Sequence, residues 1–287
     1  MPLSFLLWNL HKKDLSDLVA ALLTEHCISV VLFLEDRLPP EARLAALNRC
    51  VPEWRHISRV SSDIHKVRLY TRLPEGAISP FREHSRYPMY AVRLPGQADI
   101  LLVGAHIPDL RNNRIESVRA HCRMLAQTVR EAEGEFGSRR TVVIGDFNLD
   151  PYDESVVSAD GFHAVMSRSL ALRKTRCVQG ADHHYFYNPM WSHFGDKPQG
   201  PHGTWYWQHA EPVCWFWHIL DQVLVRPELI ESGLIGCDCT TIPDHAGEVS
   251  LLTSDRAPDK RRASDHLPLV FRLKCDYDSP VQERRLL

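Results

Sequence analysis

Hydrophobic residues along this chain fall into short apolar runs and helical spacings, and the two alternate. Leu3–Trp8 is an apolar-rich run that stops at Asn9. Leu15, Leu18, Val19, Leu22 and Leu23 recur at helical spacing, which predicts an amphipathic helix over Asp14–His26. Ile28–Leu34 is apolar again, reads as a buried strand and ends at Glu35. Strand, helix, strand, with a polar residue closing each strand, is a βαβ opening. Pro39–Arg49 follows as a second helix with proline in its first turn. Trp54–Val60, Val67–Thr71 and Met89–Leu94 read as antiparallel strands joined by Pro/Gly-rich turns. Ile100–Ala105 is another buried strand, closed by His106. Ile115, Val118, Leu125 and Val129 then mark a long helix over about Arg111–Glu133.

The next stretch, TVVIGDFNLD from Thr141 to Asp150, anchors the rest. Four β-prone residues, Thr141–Ile144, suit a strand covered on both faces. Gly145 allows a turn and a close approach, and Asp146 and Asn148 project from the strand end while Phe147 enters the core. An ordinary Asx turn accounts for the same residues. Beyond Tyr152 the periodicity loosens, and 182–218 reads as an aromatic-rich loop region with short strands. A long stretch of this kind in a compact domain is usually functional or disordered, and its aromatic content argues against disorder. Ile219–Val225 is a strand with Asp221 near its start. Leu234–Thr241 is a further strand, a charged loop covers Ser254–Arg262, and Leu267–Leu273 is the last strand. The pattern predicts one domain over 1–275 and a polar tail over 276–287.

Composition narrows the reading. Hydrophobic content of 44% supports a full core, and a net charge of −2 excludes a whole-molecule basic field. Any grip on nucleic acid must therefore come from local patches. No apolar run approaches the ~20 residues that span a membrane. The first residues lack a basic region and a small-residue cleavage site. The eight cysteines are scattered, which suits a reduced, cytoplasmic protein.

Asn9, Glu35, His106, Asp146, Asn148, Asp221, Asp265 and His266 all stand at or beside strand ends, where sheets place ligand sites. Each has an ordinary explanation: a turn former, a solvated loop carboxylate, a packed histidine, a cap. Eight such coincidences together are far less expected than any one of them.

On these residues the chain resembles the endonuclease/exonuclease/phosphatase superfamily. The matching pieces are Trp8–Asn9, Glu35, Ala105–His106–Ile107–Pro108 and Gly145–Asp146–Phe147–Asn148. Leu220–Asp221–Gln222–Val223 and Ser264–Asp265–His266–Leu267–Pro268 complete the set. The resemblance implies an α/β fold, a four-layer sandwich with two face-to-face mixed β-sheets flanked by helices. It implies a divalent-metal phosphodiesterase or phosphatase, with Glu35 binding Mg²⁺ (Mn²⁺ as a substitute) and Asn9 and Asp265 close to the metal. Asp146 would orient and deprotonate the attacking water, and Asn148 would bind phosphoryl oxygens. Asp221 would pair with His266 at the phosphate, and His106 would act as general acid or phosphate contact. Leu34 departs from the family, which usually has Gln there, and this bears on how Glu35 is oriented. Independently, Mg²⁺ favours hard oxygen ligands, and one or two carboxylates suffice.

The aromatics between Asp182 and His218 can stack unpaired bases, with Trp205 and Trp207 as substrate contacts. About half of these tryptophans are expected instead to form a secondary core. The histidines here, and Cys237–Asp238–Cys239, match no zinc spacing. Arg111 and Arg114, close after His106, are candidates for phosphate contact, and Lys260–Arg262 for the rim. The reading is a cytoplasmic Mg²⁺-dependent nuclease acting on DNA or RNA, with no membrane partner. The alternatives are a phosphatase or phosphodiesterase on a small phosphorylated metabolite or phosphoinositide, and a non-catalytic module binding through its aromatic surface.

Overall fold

The computed structural model describes residues 2–58, 66–196 and 200–275. Two large mixed sheets face each other. The first has six strands in the order Thr240–Thr241, Leu269–Leu273, Leu3–Asn9, Val30–Leu34, Val67–Thr71, Arg55–Ile57. The second has seven, in the order Ile78–Arg82, Met89–Val92, Ile100–His106, Thr141–Asp146, Asp221–Val225, Phe186–Tyr187, Ala164–Val165. Helices Ser16–Glu25 and Pro40–Cys50 cover the first sheet, and helix Ile115–Phe136 covers the second. This is the four-layer α/β arrangement that the resemblance implies.

The apolar runs explain the layering. All seven residues of Leu3–Asn9 and all six of Thr141–Asp146 are buried, because each lies central in its sheet with a layer on either face. One core cluster lies largely between the sheets and under the first pair of helices. A second, including Leu101, Val103, Val143 and Phe147 with Val118, Cys122, Leu125 and Val129, lies under the long helix. Each sheet holds a central parallel pair with a helix between its strands, Leu3–Asn9 with Val30–Leu34 and Ile100–His106 with Thr141–Asp146, and the second sheet adds a short parallel pair at its edge, Ala164–Val165 with Phe186–Tyr187. Both central pairs carry their polar ends to the same side of the molecule.

Several predicted bounds shift. The long helix begins at Ile115, because Asp109 caps the preceding turn by accepting from Asn112 N at 2.9 Å. Arg111 therefore lies in a turn. The strand predicted over Leu234–Thr241 reduces to Thr240–Thr241, and the strand predicted from Ile28 begins at Val30. Strand Ile78–Arg82 and helix Pro227–Glu231 carry no clear sequence signal; Pro80 interrupts the first, and the second spans little more than one turn. Gly145 does not make a turn, since the strand continues to Asp146. A Cβ at Gly145 would overlap the Ala105 carbonyl on the neighbouring strand, so close strand packing demands this glycine. The predicted tail 276–287, the residues of the predicted strand Trp54–Val60 beyond Ser58, and 197–199 of the aromatic-rich region lie outside the described residues. None of the eight cysteines is in a disulfide.

Candidate active site

A cavity of about 490 Å³ opens where the polar strand ends converge. Asn9, Glu35, Asp146, Asn148, Asp265 and His266 all line it. The turn carrying Asp265 and His266 is stitched to the end of the first strand. Ser264 Oγ donates to the Asn9 carbonyl at 2.6 Å, and Trp8 Nε1 donates to the His266 carbonyl at 2.9 Å.

Asp146 forms the floor and is 1% exposed. Asn9 Nδ2 donates to its Oδ2 at 3.1 Å, and Asn148 N donates to its Oδ1 at 2.9 Å. The Asx turn and the site are thus one arrangement. Asn148 holds φ near 50°, and its Nδ2 donates to the Ile107 carbonyl at 2.9 Å. Asp221 is paired directly opposite Asp146 in the antiparallel ladder and is also 1% exposed. Two like charges so placed repel. His266 resolves the conflict: its Nδ1 lies 2.8 Å from Asp221 Oδ2, and its Nε2 lies 4.0 Å from Asp146 Oδ2. Burial alone would depress the His266 imidazolium, but Asp221 and Asp146 outweigh it and raise its pKa to about 10. Burial, with Asp221 adding to it against the pull of His266, pushes the Asp146 carboxyl up to about 7.

Glu35 follows its strand with φ near 47°, an uncommon backbone for a glutamate. Its carboxylate is 27% exposed and lies 3.8 Å from His106 Nε2. Leu34 supplies no polar contact here, but the residue after Glu35 does. Asp36 receives Arg43 Nε and Nη2, both at 2.8 Å, with both side chains buried. That bidentate pair fixes the turn from which Glu35 projects. His106 is 6% exposed, and burial, assisted by Arg86, lowers its pKa to about 4. Arg111 Nη2 and His11 Nδ1 each lie 3.1 Å from one oxygen of Asp265. Burial resists ionisation of Asp265, yet His266, His11 and Arg111 together hold its carboxyl below the usual range.

Two donor sets merit comparison for a metal. Asp146, Asp221 and His266 bring ligand atoms within 4.8 Å of one another. His266 Nδ1 is committed to Asp221, however, so this group reads better as a proton-sharing unit. Glu35, Asn9 and Asp265 instead line the open cavity; Asn9 Oδ1 accepts one hydrogen bond, from His11 N at 3.1 Å, and Asp265 Oδ1 is buried without a hydrogen-bond donor of good geometry. That set has the hard-oxygen character that Mg²⁺ or Mn²⁺ takes.

Arg114 is exposed as the cap of the long helix and does not line the cavity. Arg119 and Arg123, further along, are paired with Asp153 and Glu154. Trp205 lines the cavity, and Trp207 stacks on it with ring centroids 5.8 Å apart and planes 7° apart. Of the loop tryptophans, about half of which the sequence assigns to a core, none is fully buried: Trp191, Trp205 and Trp217 are half-buried, Trp217 packing against the main core, and Trp207 and Trp215 are exposed. The hairpin Trp205–Trp207 with Phe216–His218 is a separate two-stranded sheet, so its aromatic rings pack largely on one another. His218, Asp150 and Tyr152 escaped sequence reasoning. Asp150 accepts from Ile219 N at 2.9 Å and from Tyr152 Oη at 3.0 Å, and lies 2.7 Å from His218 Nδ1. Asp150 closes the TVVIGDFNLD stretch, and that position was the available signal.

Solved structures share this fold over nearly the whole chain. D. rerio TDP2 complexed with a single strand DNA product is 17% identical, with a TM-score of 0.51 over 96% of this chain and 99% of that one. The endonuclease domain of TRAS1, a telomere-specific non-LTR retrotransposon, is 12% identical, with a TM-score of 0.53 over 96% and 100%. An endonuclease/exonuclease/phosphatase family protein from Bacteroides thetaiotaomicron is 12% identical, with a TM-score of 0.53 over 95% and 97%. No protein-family model and no curated protein matches the chain.

Proposed function

We propose that this chain, which has the fold of the endonuclease/exonuclease/phosphatase superfamily, is a divalent-metal-dependent nuclease. The observation that carries the reading is the buried Asp146 carboxylate, held by Asn9 and Asn148 and set beside the Asp221–His266 pair at the floor of an open cavity. Asp146 has the placement of a general base, and a carboxyl raised to about 7 suits proton abstraction near neutral pH. His266, cationic at neutral pH, stabilises negative charge on the phosphoryl oxygens, and Asp221 keeps it protonated and oriented. Asn148 offers its amide edge at the same wall. His106, neutral at this pH, is assigned as a substrate contact rather than the proton donor. Glu35, with Asn9 and Asp265, would hold Mg²⁺ or Mn²⁺, which when bound supplies Lewis-acid charge at the phosphoryl group.

Nucleic acid is favoured as substrate by the aromatic rim, where the stacked Trp205 and Trp207 offer faces for unpaired bases. Arg111 reaches the same cavity and is assigned to backbone contact, whereas Arg114 stands outside it. The DNA-bound D. rerio TDP2 structure supports the assignment by fold alone. Among the described residues no helix is long and apolar enough to cross a membrane.

The deciding assay incubates the protein with Mg²⁺ or Mn²⁺ and labelled single- and double-stranded DNA and RNA. Cleavage that disappears with EDTA and with Asp146→Ala is expected. Absence of cleavage of all four polymers, alongside inorganic phosphate release from phosphorylated metabolites, would replace the nuclease reading with a small-molecule phosphatase.

A further inference from the structure

A second cavity, of about 250 Å³, lies on the other flank of Glu35. It shares Lys12, Glu35 and Asp109 with the main cavity, so the two are neighbours along one wall. Lys66, Arg68, Arg86 and His106 form much of the remaining lining. Its charges are not balanced within it. Asp36 is already neutralised by the bidentate contact from Arg43, which lies outside the cavity. Asp109 is held in its own turn by hydrogen bonds from Asn112 but keeps its charge, and Glu35 belongs to the donor set assigned to the metal, so Lys12, Lys66, Arg68 and Arg86 still outnumber the carboxylates of the lining. Lys12, Lys66 and Arg86 remain, and among the described residues none of the three has a carboxylate partner; Arg86 donates only to the His106 carbonyl, at 3.1 Å. Lys12 is placed by unusual backbone. It and His11 hold φ near 56° and 47°, and Lys12 N donates to the Glu35 carbonyl at 2.9 Å. A further polar group lacks a partner here: His106 is 6% exposed, and its Nδ1 is buried with no hydrogen bond. Cations without carboxylate partners, converging on a cavity beside a buried imidazole nitrogen that lacks a hydrogen bond, form a site for an anion.

We propose that this cavity is a second phosphate subsite, in which Lys12, Lys66 and Arg86 hold a phosphodiester of the substrate adjacent to the one cleaved. The inference rests on the nuclease reading and sharpens it. The substrate crosses Glu35, with the aromatic rim on one side and the basic cavity on the other. Two linked phosphates are then read at once, which favours a polynucleotide over a metabolite bearing one phosphate.

The test uses oligonucleotides in which a single linkage at a time is replaced by an uncharged methylphosphonate. Binding to the full chain is followed by fluorescence anisotropy in EDTA, and KM by cleavage with Mg²⁺. For the native protein, one linkage next to the cleaved one should weaken binding by about tenfold when neutralised, as loss of a charge-assisted hydrogen bond does. The double variant Lys12→Gln, Lys66→Gln changes two exposed side chains outside the catalytic set. It should lose a similar factor on the all-phosphate oligonucleotide and nothing more on the neutralised one, with kcat unchanged. Losses that simply multiply at every position overturn the subsite, because the lysines then act as a diffuse field. A penalty confined to removal of a terminal phosphomonoester also overturns it. If no oligonucleotide is bound or cut, the nuclease reading falls and takes the subsite with it.

Discussion

The floor and the rim of the main cavity are built on opposite terms. On the floor, Asn9, Asp146, Asp221 and His266 are all under 8% exposed, and every one has a named hydrogen-bond partner. On the rim, Tyr152, Trp207, Trp215 and Phe216 are between 38% and 66% exposed, and most of their ring partners are other aromatics. The floor sits at the ends of strands whose register is fixed by buried faces on both sides. The rim sits on a two-stranded hairpin and a loop that neither large sheet constrains. On the proposed nuclease reading, the chemistry falls to the rigid part and the choice of substrate to the loops, as positioned loops on a stable scaffold commonly do.

The largest effect that would break this division is at Asp146. Asp146→Asn keeps the side-chain shape and removes the base, and kcat should fall by roughly 10²–10⁴. Stability should not fall with it. A carboxyl whose folded pKa lies near 7 destabilises the native state progressively as pH rises above its ordinary value of 3.8. The neutral variant escapes that penalty, so its melting temperature at pH 8 should equal or exceed that of the native protein. A large drop in melting temperature would show that the floor is structural first.

Asp221→Asn comes next. His266 loses its hydrogen-bonded carboxylate, so its pKa should descend from about 10 toward the ordinary imidazole value of 6.5. Stability linked to His266 is fully present below 6.5 in the native protein and is lost as pH rises through about 10. In the variant that stabilisation should be smaller and its loss complete at lower pH, and the basic limb of the kcat/KM profile should move down with it. We expect about a 100-fold loss of activity at pH 8, within the range of acid–base contributions. An unshifted basic limb would remove His266 from its assigned role.

How far this division was legible in the sequence follows the same boundary. The floor was readable because unbroken apolar runs fix where central strands end, and Asn9, Glu35, His106 and Asp146 stand at those ends. Neighbouring explanations were less accurate. Gly145 spares the Ala105 carbonyl rather than making a turn, since one sequence cannot show which strand lies alongside. Arg111 contacts Asp265 because Asp109 caps a turn before the helix, whereas helical periodicity alone extended the helix over Arg111. The bidentate grip of Arg43 on Asp36, which fixes the turn beside Glu35, joins positions brought together only by folding. The rim was the least readable part. Alternating Trp205 and Trp207 fit a half-buried strand, and nothing in the pattern tells that the hairpin leaves both sheets.

At the rim the effects should be smaller and of a different kind. Trp207→Ala removes one face of the Trp205 stack and should raise KM for single-stranded substrate roughly tenfold, in line with about 1–3 kcal/mol per stacked base. The value of kcat should hold, because no group on the floor touches this ring.

Trp215→Ala should have the smallest effect, and it separates the rim's own packing from its contact with substrate. Trp215 is 66% exposed, and its ring lies 5.6 Å from that of Tyr152, which in turn donates to Asp150 beside His218. Removing an exposed ring of this kind should change folding stability by no more than about 0.5 kcal/mol. If Trp215 only shields Tyr152, KM should rise less than for Trp207→Ala, with single- and double-stranded substrates affected alike. If it stacks a base itself, the rise should be confined to single-stranded substrate and should match that of Trp207→Ala. A fall in kcat with KM unchanged would run against both, and would mean that Tyr152 and Asp150 transmit rim packing to the floor.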